Sequence, residues 1–192
     1  GEPDSSPPSS AILFEGLVSV FHAGTGQLLA RDKTIWGQTA AIYGASVALS
    51  GPWMAVGAYG HDTPGYSNNG VVIIKHTSGT ENYLIAPDTQ NAMGFGRSVA
   101  IAGNTVYVGT LTRDRVYLYD LRTLAFLGAA DAPPQALAGF GQHLTASGHL
   151  LTINSADGAW LYDRQSGTLT SIFAGVAGGP VKSSVGLCGN IA

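Results

Sequence analysis

The sequence predicts an all-β fold in which four short sheets stand round a common axis as the blades of a small β-propeller. Three observations predict it. The first is a repeated unit: an aromatic, a glycine, then a short strand of small apolar residues ending in glycine. Tyr43-Gly44 leads into Ser46–Gly51, Phe95-Gly96 into Ser98–Gly103, and Phe140-Gly141 into His143–Gly148. A fourth copy, Ser184–Gly189, has Val181-Lys182 where the others have the aromatic pair. The closing glycines stand 52, 45 and 41 residues apart, the spacing of multi-stranded propeller blades. The second observation is another unit that follows the first three copies: Val71–Ile74, Val116–Tyr119 and Ala159–Tyr162. The third is phase. The fourth copy of this second unit, Val18–Phe21, lies at the opposite end of the chain. The chain thus starts with the back half of a repeat and ends with the front half. Pairing N- and C-terminal strands in one shared blade would close the ring and cover sheet edges.

The elements follow in order. Residues 1–10, GEPDSSPPSS, read as an extended Pro/Ser-rich linker, with no basic or apolar region of a signal peptide, and residues 11–192 as one propeller domain. Ala11–Phe14 and Leu17–Phe21 are expected strands, Gly24–Gly26 a turn and Gln27–Ala30 an outer strand. The second blade is expected as Ser46–Ser50, Trp53–Gly57, Val71–His76 and Asn82–Ile85. The third is Ser98–Ala102, Thr105–Gly109, Arg115–Tyr119 and Ala125–Leu127; the fourth is His143–Ala146, Leu150–Asn154, Ala159–Tyr162 and Thr168–Phe173. Glycine turns at Gly51, Gly103 and Gly148 join the first two strands of each blade. Gly or Pro interrupts every window that could be helical. The aromatics Tyr117, Tyr119, Trp160 and Tyr162 fall on third strands, where they can fill the wedge between blades. A monomer of four blades is the first reading. The same complementary ends permit strand exchange between copies, or a larger ring built by two chains.

Composition narrows the function. Charged residues are 11% of 192, hydrophobic residues 45%, and there are 27 glycines, a balance suited to short strands and tight turns. Net charge is −3 with nine Lys and Arg, so no basic stripe invites nucleic acid. No apolar run approaches the ~18–20 residues of a membrane helix. Cys188 is alone, so no internal disulfide forms, and its apolar strand marks it as a small buried hydrophobe.

The run Phe95-Gly96-Arg97-Ser98-Val99-Ala100-Ile101, then Gly103-Asn104 and Val108-Gly109, resembles the FG-GAP repeat of integrin-α-type propellers. Tyr43-Gly44, Val56-Gly57-Ala58 and Gly70-Val71-Val72-Ile73 carry the resemblance into the second blade. It covers residues 43–167 clearly and the ends more weakly. It implies a propeller used for adhesion, ligand recognition or assembly. The setting expected is extracytoplasmic: secreted, periplasmic or at the cell surface. Two departures stand out. Familiar members have seven blades, and many carry an Asp/Asn-rich calcium loop between the first two strands. Here that loop shrinks to turns such as Gly103-Asn104. Calcium takes six to eight oxygen ligands, so neither metal nor cofactor is expected.

The local anomaly is the loop 57–70, far longer than its counterparts Thr110–Asp114 and Ser155–Asp157. Long loops in compact domains are often functional. Tyr59 and Tyr66 offer stacking faces, and His61, Asp62, Asn68 and Asn69 offer polar groups. Blade connections on the same face add Trp36, Gln38, Asp88, Gln90, Asn91, Asp131 and Gln135. Ser46, Ser98, His143 and Ser184 hold one repeat position and could ring the axial channel. The five histidines fall in no metal or protease pattern, and no nucleophile elbow or phosphate loop occurs. The expectation is a non-catalytic recognition module that binds a protein partner, with a lectin or a structural, oligomerising domain as alternatives. The ligand-binding residues expected are Tyr59, His61, Asp62, Tyr66, Asn68, Asn69 and Trp36.

Overall fold

The computed structural model describes residues 16–32, 41–136, 138–156 and 158–174, and they contain strands and turns with no helix. A hairpin, Val18–Phe21 (β1) and Leu28–Asp32 (β2), comes first. The second blade is Ser46–Ser50 (β3), Trp53–Ala58 (β4), Val71–His76 (β5) and Glu81–Leu84 (β6). The third is Ser98–Ala102 (β7), Thr105–Gly109 (β8), Arg115–Asp120 (β9) and Phe126–Asp131 (β10). The fourth is Leu144–Ser147 (β11), Leu150–Ser155 (β12), Gly158–Asp163 (β13) and Thr168–Ala174 (β14). Each of these three sheets is an antiparallel meander in chain order, and β1–β2 forms a sheet of two. Among the described residues the propeller thus has three complete blades and the two-stranded hairpin of another. Trp36, Cys188 and the closing copy Ser184–Gly189 lie outside the described residues.

Alternation along each strand sends successive side chains to opposite neighbouring blades. Val106 and Val108 on β8 join a core with Ala55, Val72 and Ile74 of the second blade. Tyr107 between them turns to the fourth blade and packs with Phe140, Leu151, Ile153 and Trp160. The expected wedge aromatics fall here. Tyr117 and Tyr119 fill the second-to-third seam, and Trp160, with Tyr162 at its margin, fills the third-to-fourth. Phe95 meets the Tyr117 and Tyr119 rings edge-on, at centroid distances of 5.6 and 6.1 Å, the arrangement their quadrupoles favour.

The aromatic-glycine unit is a tight turn. The N–H groups of Ala45, Arg97 and Gln142 donate to the carbonyls of Ile42, Gly94 and Gly139. Those three residues have positive φ (54°, 64° and 90°), as do Gly44, Gly96 and Gly141. The recurring unit is therefore Gly-aromatic-Gly, and Ile42 occupies a left-handed position that glycine fills in the other two blades. The aromatic ring drops into the seam: Tyr43, Phe95 and Phe140 are all buried.

The inner strands are latched by side chains of the repeat. Ser46 Oγ donates to the Gly96 carbonyl at 2.9 Å and Ser98 Oγ to that of Gly141 at 2.6 Å. These hydroxyls thus bind the next blade's backbone as well as bordering the channel. Opposite them in register stand Gly57 and Gly109. A Cβ at Gly57 would lie 2.1 Å from the Gly96 oxygen, and one at Gly109 1.8 Å from the Gly141 oxygen. Only glycine permits this approach. In the fourth blade His143 and Asn154 hold the two positions.

The hairpin docks through charge as well as packing. Val18 joins Tyr43, Val56, Val71 and Ile73 in a third core. Lys75 Nζ lies 2.8 Å from both Asp32 and Glu81, and the Tyr43 hydroxyl donates to Asp32. Six of the twelve exposed large apolar side chains among the described residues lie here: Leu17, Phe21, Leu28 and Leu29 at the hairpin, Val47 and Leu49 on β3.

Many strand ends moved by one or two residues, and the end of β10 by four. β10 continues past the expected end at Leu127, so Asp131, assigned above to the blade connection, is the last residue of a strand and pairs with Arg115. A register shift at Phe126/Gly128 lets the ladder continue beyond Gly128, whose φ is 144°. β11 begins at Leu144, not His143.

Candidate functional site

Loops between second and third strands, the Gly-aromatic-Gly turns and the starts of the inner strands share one end of the blades, here called the upper face. The loop 59–69 dominates it, and its order follows from its sequence. Thr63-Pro64-Gly65-Tyr66 closes a hairpin tip: Tyr66 N–H donates to Thr63 O at 2.9 Å and Thr63 N–H to Tyr66 O at 3.2 Å. Gly65 has φ 87°, the conformation that Pro followed by Gly selects in a type II turn. Asn68, at φ 50°, is a residue type that tolerates the left-handed region.

The loop is tied to the next blade along its length. Ala92, Gly94 and Phe95 donate backbone N–H groups to Ser67, Asn68 and Asn69 carbonyls. Asn91 Oδ1 accepts from Ser67 N–H at 2.9 Å. The Asn69 side chain is buried and saturated: its Nδ2 donates to Thr63 and Thr89 hydroxyls and its Oδ1 accepts from Thr63 N–H. Asp62 accepts from Asn68 N–H at 2.6 Å.

These contacts sort the expected ligand-binding residues. Asn69 pins the loop from inside. His61 is 7% exposed, and burial pushes its imidazole below the usual value against the pull of Asp62. Tyr59 is half-buried beneath the Arg97 guanidinium, 5.1 Å from its ring centroid. Tyr66 is 40% exposed, and Asp62 and Asn68 are exposed beside it in sequence. Trp36 lies outside the described residues. Of the connection residues, Asp88 accepts from Tyr117 and Arg115, and Gln90 accepts from Arg113 at 2.8 Å.

Sequence reasoning passed over the residue that follows each Gly-aromatic-Gly turn. Ala45, Arg97 and Gln142 share that position, and all three line a cavity of about 240 Å³ at the head of the channel. Ser46, Ser98, His143 and Thr145 complete its polar wall. Gln142 Nε2 reaches back to the Leu111 carbonyl in the preceding blade's loop at 3.1 Å, as Arg97 reaches back to Tyr59. The available signal was alignment of the repeats with each other, which puts an arginine where its equivalents are Ala and Gln. Among the described residues, no three His, Cys, Asp or Glu side chains come together as a metal cluster. Nor is any helix among them long and apolar enough to cross a membrane.

The fold is that of a small β-propeller, and residues 79–119, from the β5–β6 turn into β9, match the FG-GAP repeat family. No curated protein matches the sequence. Among solved structures the chain is similar to U3-55K (12% identity, TM-score 0.59, 86% of this chain on 48% of that one). It is similar to the RRP9 WD40 repeats (10% identity, TM-score 0.59, 83% on 46%) and to Saccharomyces cerevisiae Sqt1 (15% identity, TM-score 0.57, 87% on 45%). The chain spans about half the length of these structures. At such identities the likeness speaks for the propeller fold.

Proposed function

We propose that this chain is a non-catalytic recognition module that binds a protein partner through its upper face. The observation that carries the reading is the ordered loop 59–69, hydrogen-bonded to residues 89–95 of the next blade and raising Tyr66 on a Pro-Gly tip. A surface already held in shape gives up little entropy on binding, and an exposed tyrosine on a rigid support is a common interface anchor. Asp62 and Asn68 supply a polar rim. The lectin alternative is less supported, because Tyr59 is stacked under Arg97 and leaves Tyr66 as the loop's open aromatic. The structural and oligomerising alternative draws on the exposed apolar residues of the hairpin and β3. The FG-GAP resemblance is the support for an extracytoplasmic site of action, adhesion included.

Selection from a displayed random-peptide library on the intact chain tests the reading, with a glycan array probed in parallel. Peptides that bind the wild-type chain are expected to lose about tenfold or more in affinity to Tyr66→Ala. Saturable glycan binding without peptide enrichment would transfer the function to the lectin reading.

A further inference from the structure

We propose that the cavity at the head of the channel is a receptor for one carboxylate, an Asp or Glu side chain of the partner protein, with Arg97 as its cationic contact. The inference rests on the reading of the upper face as a protein-binding surface and says what chemistry the centre of that face recognises. Four observations carry it.

Arg97 lines the cavity, and no carboxylate lines it with Arg97 among the described residues. Two other cations are held by carboxylates. Lys75 sits between Asp32 and Glu81, and Arg115 between Asp88 and Asp131. Arg97 instead lies on the Tyr59 ring, and its Nε, like that of Arg113, is buried with no acceptor. A buried donor left unmade is costly, and cation–π stacking occupies the guanidinium face while its in-plane donors remain directed elsewhere.

The remaining polar wall suits an anion's oxygens. Thr145 adds a hydroxyl, the Gln142 amide keeps one N–H beyond the one given to Leu111, and the exposed His143 stands where the other blades have serine. Size then selects the ligand. About 240 Å³ is less than the roughly 300–1,000 Å³ of small-molecule sites, and suits one inserted side chain. A guanidinium presents parallel donors that match the two oxygens of a carboxylate. Stacking on Tyr59 holds the fork in place before the ligand arrives, which leaves less entropy to lose on binding.

The test uses peptides selected on the intact chain, resynthesised with amidated C-termini so that a side chain is the only carboxylate source. Affinities are measured for wild type, Arg97→Gln, Arg97→Lys and Tyr66→Ala, after thermal melting confirms that each variant is folded. The selected peptides are expected to share one Asp or Glu. Changing it to the amide, or Arg97 to Gln, should each weaken binding about tenfold or more, and the two together little more than either alone. Arg97→Lys should recover part of the loss. Peptides that keep their affinity for Arg97→Gln but lose it with Tyr66→Ala would overturn the carboxylate receptor and leave the protein-binding face standing. Indifference to both substitutions would remove both readings. A phosphoserine peptide that binds more tightly than its glutamate counterpart would replace the carboxylate by phosphate and overturn the assignment as stated.

Discussion

Gly109 shows how one missing Cβ holds two blades together. Its absence lets the Gly141 carbonyl approach, and the Ser98 hydroxyl across the ladder then donates to that same oxygen. Gly57 and Ser46 repeat the arrangement one blade earlier. Gly109→Ala would force backbone against backbone and should cost at least about 2 kcal/mol. Ser98→Ala removes only the hydrogen bond and should cost about 1–2 kcal/mol. Chemical denaturation of both variants measures this, and equal, negligible losses would show that the seam does not depend on this contact. The serines were legible in sequence as a repeat position, but as channel-facing groups. That their hydroxyls serve the neighbouring backbone depends on the distance between blades, which no single repeat encodes. Ile42 was illegible for a related reason: the left-handed position before each aromatic is visible as glycine in two copies and hidden in the third.

At the scale of elements, the hairpin is held to the second blade by the Asp32–Lys75–Glu81 cluster. Burial alone would raise the Glu81 carboxyl, but hydrogen bonds from Lys75 and Tyr83 outweigh it and the net displacement is downward from 4.5. Burial likewise opposes the Lys75 ammonium, and its hydrogen bonds to Asp32 and Glu81 outweigh it, giving a net upward displacement from 10.5. A depressed carboxyl gives stability that is present above its ordinary value and lost as pH falls through the folded one; a raised amine gives stability that is present below its ordinary value and lost as pH rises through the folded one. The cluster therefore contributes fully between about pH 4.5 and 10.5. Within that window Lys75→Met should lower Tm by about 2–4 °C, in keeping with a partly exposed network. Outside it the two melting curves should converge, and a difference independent of pH would mean that Lys75 acts through its packing. The strands themselves were largely legible, since Gly turns and apolar runs of four to six residues set their number and order. Strand ends were less so. β10 outran its expected limit because the register shift at Gly128 restores pairing with Arg115, an effect of the partner strand. The long loop was legible as an insertion with a Pro-Gly tip, but the split between inward Asn69 and outward Tyr66 depends on Thr63 and Thr89, which fold back on it.

At the scale of the whole molecule, the propeller has two unlike ends. The lower end carries short turns at Gly51, Gly103 and Gly148. The upper end carries the braced loop 59–69, the short loop 110–114 and the cavity bordered by Arg97, Gln142 and His143. Recognition is assigned to the upper end alone. Amide hydrogen exchange of the intact chain, free and saturated with a selected peptide, tests that assignment most directly. Exchange should slow in residues 59–70, 92–98, 110–114 and 139–143, with the turns at 50–53, 103–105 and 147–150 unchanged. Protection concentrated in those lower turns, or on the hairpin β1–β2, would contradict it.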